Sequence, residues 1–95
     1  MLIATSTVQT AKASINLKKL CRHFSHKVPA SFDDHRGEVQ FPFGDAVLTA
    51  EGETLQIRIQ ATGEDELARA KDVVGGHLVR FATDENLQVE WVDQA

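Results

Sequence analysis

The sequence predicts a single α+β domain, a two-layer α/β sandwich in which two helices cover one face of an antiparallel sheet. Its element order is β-α-β-β-β-β-α-β. Three observations carry this: apolar residues alternate with a period of two across residues 29–61, a helical period of about 3.6 flanks that stretch on either side, and a short alternating segment stands at each end. Ninety-five residues suffice for one core and not for two lobes, so one domain is expected over residues 1–95.

Residues 2–9 carry β-branched types at Ile3, Thr5, Thr7 and Val8 and read as a first strand. Over residues 11–27 the period changes. At about 100° per residue Ala13, Leu17, Leu20, Cys21, Phe24 and Val28 fall on one narrow stripe, with Thr10 placed to cap the start and Pro29 to forbid continuation. Four short strands follow, with Phe32, then Val39, Phe41 and Phe43, then Ala46, Leu48 and Ala50, then Leu55, Ile57 and Ile59 directed inward. Turn chemistry separates them at residues 34–37, at Gly44-Asp45 and at Glu51-Gly52-Glu53. The alternate positions, Glu38, Gln40, Thr54, Gln56, Arg58 and Gln60, are polar and predict a wet outer face. Thr62 is the expected cap of a second helix, with Asp65 as its capping-box partner and Leu67, Ala70, Val74, Leu78 and Phe81 as the core stripe. Gly75 and Gly76 inside that helix predict a close approach or a kink. A last strand is expected with Leu87, Val89 and Trp91 inward. By topology the result resembles the TATA-box-binding-protein-like and helix-grip groups, and fold analogy of that kind carries no function.

Composition narrows the functional classes. Hydrophobic residues at 42 % and charged residues at 25 % exclude disorder, and no apolar run approaches the roughly 18 residues of a membrane span. With one cysteine, no internal disulfide forms; a cytoplasmic setting and stabilisation by packing are expected. Net charge is −4 but unevenly spread: residues 1–32 hold five bases and no acid, a net +5, and the remainder holds five bases and fourteen acids, a net −9. Such asymmetry marks a candidate anion-binding face. No HExxH, glycine-rich phosphate loop or nucleophile triad occurs, so catalytic residues and a cofactor are not expected.

The run Leu20-Cys21-Arg22-His23-Phe24-Ser25-His26-Lys27-Val28-Pro29 resembles the signature of a bacterial family catalogued as domain of unknown function 2218. The resemblance extends through Phe32-Asp33, Phe41-Pro42-Phe43-Gly44, His77-Leu78-Val79-Arg80-Phe81-Ala82 and Val89-Glu90-Trp91, nearly the whole chain. It implies family membership and an association with iron and siderophore-related proteins. It carries no activity that could be transferred residue by residue.

The candidate ligand-binding residues are Lys19, Arg22, His23, His26 and Lys27 on the polar side of the first helix, opposite its core stripe. Lysine, arginine and imidazole donors converging there suit a small anion or an acidic protein surface. No metal site is assigned. His23 and His26 are adjacent on the helix, but Lys19, Arg22 and Lys27 would repel a cation, and antiparallel helices are expected to hold His77 more than about 10 Å away, at the other end of the sheet. At that other end, His77 and Arg80 are expected to meet His35 and an acidic partner, Asp33 or Asp34, while Arg22 and Lys27 face Glu64, Asp65 and Glu66. Cys21 lies on the core stripe and reads as a small buried apolar group. Nucleic acid is not an expected partner, since the polar sheet face has no aromatic platform and the net charge is negative. Two other readings stand beside anion binding: a metal-handling or small-enzyme accessory in iron metabolism that uses the histidines, and an interaction module. For the last, a monomer or weak homodimer formed through a strand edge is expected.

Overall fold

A computed structural model describes residues 1–94. The elements are β1 (Leu2–Gln9), α1 (Ala13–Phe24), β2 (Ala30–Phe32), β3 (Arg36–Phe41), β4 (Gly44–Glu51), β5 (Thr54–Ala61), α2 (Glu64–Phe81) and β6 (Val92–Gln94). Their order is the one that the apolar periods predict. The six strands form one antiparallel sheet in the order β2-β3-β4-β5-β1-β6, with both helices on one face.

Alternation decides which face is covered. Ala4 and Val8 of β1, Val39 of β3, Ala46, Leu48 and Ala50 of β4 and Leu55, Ile57 and Ile59 of β5 are all buried, and Leu17, Leu20, Cys21, Leu67, Val74 and Leu78 meet them from the helices. Each large side chain so buried contributes about 1.5–3 kcal/mol. Glu38, Gln40, Gln56 and Arg58 face water from the opposite side.

The boundaries depart from the sequence expectations in four places. First, α1 ends at Phe24; Lys27 and Val28 N–H groups both donate to the Phe24 carbonyl, so the chain tightens into a turn before Pro29 is reached. Second, Thr62 does not cap α2, whose N-cap is the extended Gly63 without a side-chain bond. Third, the turn between β3 and β4 is Pro42-Phe43, while Gly44 and Asp45 already belong to β4. Proline supplies the fixed φ that a turn of this kind uses at its first position. Phe41 and Phe43, expected in the core, are therefore only half-buried at the rim. Fourth, the last ladder covers only Val92–Gln94 beside β1. Leu87, Val89 and Trp91 do pack on the core, but Val89 and Trp91 lie against α2 at Gly75, where a Cβ would stand 3.5 Å from both. Gly75 thus faces a neighbouring segment, whereas a Cβ on Gly76 would meet only the end of the Arg80 side chain, and α2 continues unbroken through both.

The segment after α2 ties the two helices together through Glu85. Its carboxylate accepts from the Thr10 hydroxyl at 2.7 Å, the Ala11 N–H at 3.0 Å and the buried Asn16 amide at 3.0 Å, at the start of α1. Thr10 and Asn16 hold the Glu85 carboxyl below its ordinary pKa of 4.5. A lowered folded-state pKa gives stability that is present above the unfolded value and lost as pH falls through the folded one. The Tm deficit of Glu85→Gln relative to the parent protein is therefore expected to shrink as pH falls from about 7 to about 3. Thermal melts across that range check it; a constant deficit would mean that charge on Glu85 is irrelevant.

Candidate functional site

The two helices pack antiparallel: Lys12 at the start of α1 pairs with Asp84 just after α2 at 2.9 Å, and Lys27 beyond the end of α1 shares a cleft with Glu66 near the start of α2. Their lengths differ, with twelve residues in α1 against eighteen in α2, so the end of α1 comes level with the middle and later turns of α2. His23 and His77 consequently stand side by side, their ring centroids 4.9 Å apart, where the sequence expectation separated the α1 histidines from His77 by the length of the sheet. The expected cluster of His35, His77 and Arg80 with Asp33 or Asp34 does not form. Asp33 accepts from the His35 and Arg36 N–H groups at 2.8 Å in its own turn, and Asp34 pairs with Lys18 at 3.0 Å. Nor do Arg22 and Lys27 pair with Glu64, Asp65 or Glu66; the α1 bases that do form ion pairs among the described residues are Lys12 and Lys18.

The five residues singled out from the sequence divide between two adjoining surfaces. Lys19, Arg22, His23 and His26 line an open depression of about 350 Å³ floored by Phe81. Arg22 also leans over the Phe32 ring, 6.0 Å from its centroid. Lys27, together with His23, lines the mouth of a cleft of about 530 Å³ between the end of α1, the Pro42-Phe43 turn and the first four turns of α2. His26 and Lys27 lie past the last helical residue, so a turn positions them and not the helix face.

This cleft has an aromatic wall. Phe41 and Phe43 stack at 4.9 Å and 11°, Phe24 meets Phe41 edge-on at 5.0 Å, and the guanidinium of Arg69 lies over Phe43 at 4.9 Å. On the α2 side, Arg69, Val73 and His77 recur every fourth residue and so share one side of the helix. Arg69 escaped the sequence reading, because it sits outside the core stripe; the four-residue steps from Arg69 to Val73 and from Val73 to His77 are the one sequence signal that points to it, while Glu66 enters that reading only as an acid facing Arg22 and Lys27.

Two features of the imidazoles are set by their surroundings. His77 Nδ1 lies 2.6 Å from the Val73 carbonyl oxygen, which can only accept, so Nδ1 carries the proton and Nε2 keeps the free lone pair of the neutral ring. His23 is held below the ordinary histidine pKa, first by partial withdrawal from water and then by His77, Lys27, His26 and Arg80. No group of three or more His, Cys, Asp or Glu side chains among the described residues could hold a metal ion. Cys21 is fully buried and its thiol is pushed up to about 11 by desolvation, so it stays protonated and inert.

A model of a family described as an uncharacterised protein conserved in bacteria, domain of unknown function 2218, matches residues 5–92. The chain belongs to this family. A solved structure similar to this chain is that of PA4090 from Pseudomonas aeruginosa, determined by NMR, at 32 % identity and a TM-score of 0.82 over 97 % of this chain and 96 % of that one. No curated protein matches. For DUF2218 the comparisons therefore carry the fold and the membership, as the signature around Cys21–Pro29 implied. No helix of the described residues is long and apolar enough to cross a membrane.

Proposed function

We propose that this protein is a non-enzymatic binding module that holds a small anionic ligand where the end of α1 meets α2. One observation carries the reading: His23 and Lys27 from the α1 side and Arg69 and His77 from α2 converge on an apolar-floored cleft of about 530 Å³ with Glu66 as its one acid. That volume lies within the roughly 300–1,000 Å³ usual for small-ligand sites, and apolar walls with a few convergent polar groups are their usual composition. Lys19, Arg22 and His26 extend the positive surface outward and would draw an anion toward the mouth. We read the setting as cytoplasmic, on the single buried cysteine.

The test is a thermal-shift series with phosphate, acetate and larger carboxylates on the parent protein and on Lys27→Ala/Arg69→Ala. A ligand at 100 times its Kd stabilises by about 2.7 kcal/mol, which raises Tm by roughly 10–20 °C in a domain of this size. The shift is expected in the parent and not in the double variant. It should also grow as pH falls through the His23 pKa, because protonation adds a cation among His77, Lys27, His26 and Arg80. Retention of the full shift by the double variant would sink the assignment.

A second reading rests on His23 and His77. With Nδ1 of His77 committed to the backbone, its Nε2 keeps the lone pair with which histidines so anchored bind metals. Stabilisation by a divalent metal alone, lost in His77→Ala, would favour metal handling over anion binding.

A further inference from the structure

We propose that the ligand of the cleft is an aromatic monocarboxylate, whose ring packs against Phe41 and Phe43 and whose carboxylate is held by Arg69 and Lys27. This rests on the anion-binding reading and specifies its ligand. Rings make up much of the lining: the Phe41–Phe43 stack, Phe24 edge-on to Phe41 at 80°, and the His77 ring edge-on to Phe24 at 5.2 Å and 64°, with Val28 and Val73 as the aliphatic contribution. Rings prefer offset-stacked and edge-to-face neighbours, and Phe41, Phe43 and His77 are half-buried, so part of each ring is open to a ligand, while Phe24 backs the wall from the core.

The way the wall is built supports a binding role over a packing one. The tight Pro42-Phe43 turn carries both phenylalanines beyond the helix-covered core, where neither is fully withdrawn from water. Arg69 covers Phe43 from the cleft side, a cation over a ring that in turn lies beside the space a ligand would fill. Its guanidinium is a planar fork matched to a carboxylate, and a ligand ring taking its place over Phe43 would release that fork to pair with the carboxylate.

Charge fixes the number of acidic groups. Apart from the two imidazoles, the lining holds two basic side chains, Lys27 and Arg69, against the carboxylate of Glu66. One positive charge is left over. A monoanion balances it, whereas a dianion such as a phosphate monoester would leave an excess negative charge beside Glu66.

The experiment is an amide chemical-shift titration of the full chain with four probes: benzoate, cyclohexanecarboxylate, benzyl alcohol and acetate. Benzoate and cyclohexanecarboxylate share the carboxylate and differ in the planarity of the ring; benzyl alcohol keeps the ring without the charge. Benzoate is expected to bind about five- to tenfold more tightly than cyclohexanecarboxylate, with the largest shifts at residues 41–44 and 66–77. Phe43→Leu should erase that preference while keeping carboxylate binding, and Arg69→Ala should weaken both acids. Equal binding of the two acids would overturn the aromatic inference and leave the anion-binding reading standing. Binding of benzyl alcohol as tight as benzoate would overturn the role of Arg69 and Lys27. If no acid perturbs the cleft, the carboxylate inference falls, and the phosphate arm of the thermal-shift series decides the anion-binding reading. The comparison on the parent protein needs no variant, so poor folding of Phe43→Leu does not blunt it.

Discussion

Alanine at Gly44 is expected to destabilise the protein by about 2–3 kcal/mol and to lower its Tm by roughly 10–20 °C. A Cβ there would stand only 2.4 Å from the carbonyl oxygen of Gln60 and 3.2 Å from the Cβ of Ala61. The first obstacle is backbone of the neighbouring strand, which cannot rotate away as a side chain can. Relief requires β4 and β5 to separate at the end of their ladder, next to the Asp45–Gln60 pair. Gly44 also closes the Pro42-Phe43 turn by pairing with Phe41, so the same change should displace the aromatic wall and weaken benzoate binding along with stability. Thermal melts check the first effect and the titration the second. A Tm within a few degrees of the parent would show that the strands yield at little cost.

The second large effect is expected at Gly37, and it comes with its own control. A Cβ on Gly37 would meet the Cys21 sulfur at 2.4 Å and Leu17 Cδ2 at 3.3 Å, where α1 lies closest to β3. Gly37→Ala is therefore expected to cost about 1–3 kcal/mol. Cys21→Ala removes the obstructing atom at the cost of a small cavity. In the double variant Gly37→Ala/Cys21→Ala the added methyl fills the space that the sulfur vacated, so its loss should be smaller than the sum of the single losses by about 1–2 kcal/mol. Denaturant melts of the four proteins measure this. Strict additivity would mean that the close approach of α1 to the sheet is not what requires glycine at position 37. Because that approach sets the height of α1 above β3, it also sets where Phe24 stands relative to Phe41.

These two positions show how unevenly the chain can be read. The α1 stripe of Ala13, Leu17, Leu20, Cys21 and Phe24 is buried as its spacing predicts, and the alternation in β3, β4 and β5 assigns faces correctly. The signature around His23 and His26 is visible in the chain, and so are Lys19, Arg22, His23 and His26, which line one surface. Gly44 is legible as a turn residue, but of a turn two residues too late; Gly37 reads as turn chemistry, whereas its role is to let a helix approach a strand. Neither fact is local, since each depends on an atom from another element.

The sequence by itself determined the element order, the face each element buries and the family. Those follow from periods of two and 3.6 and from a motif, which are properties of neighbours along the chain. The tertiary structure alone decided the stagger of the helices. A twelve-residue α1 beside an eighteen-residue α2 sets His23 against His77 and brings Arg69 to the wall formed by Phe41 and Phe43. Helical period fixes which side of a helix faces a partner and leaves free how far one helix slides along the other; packing against the shared sheet sets that distance, and with it the cleft.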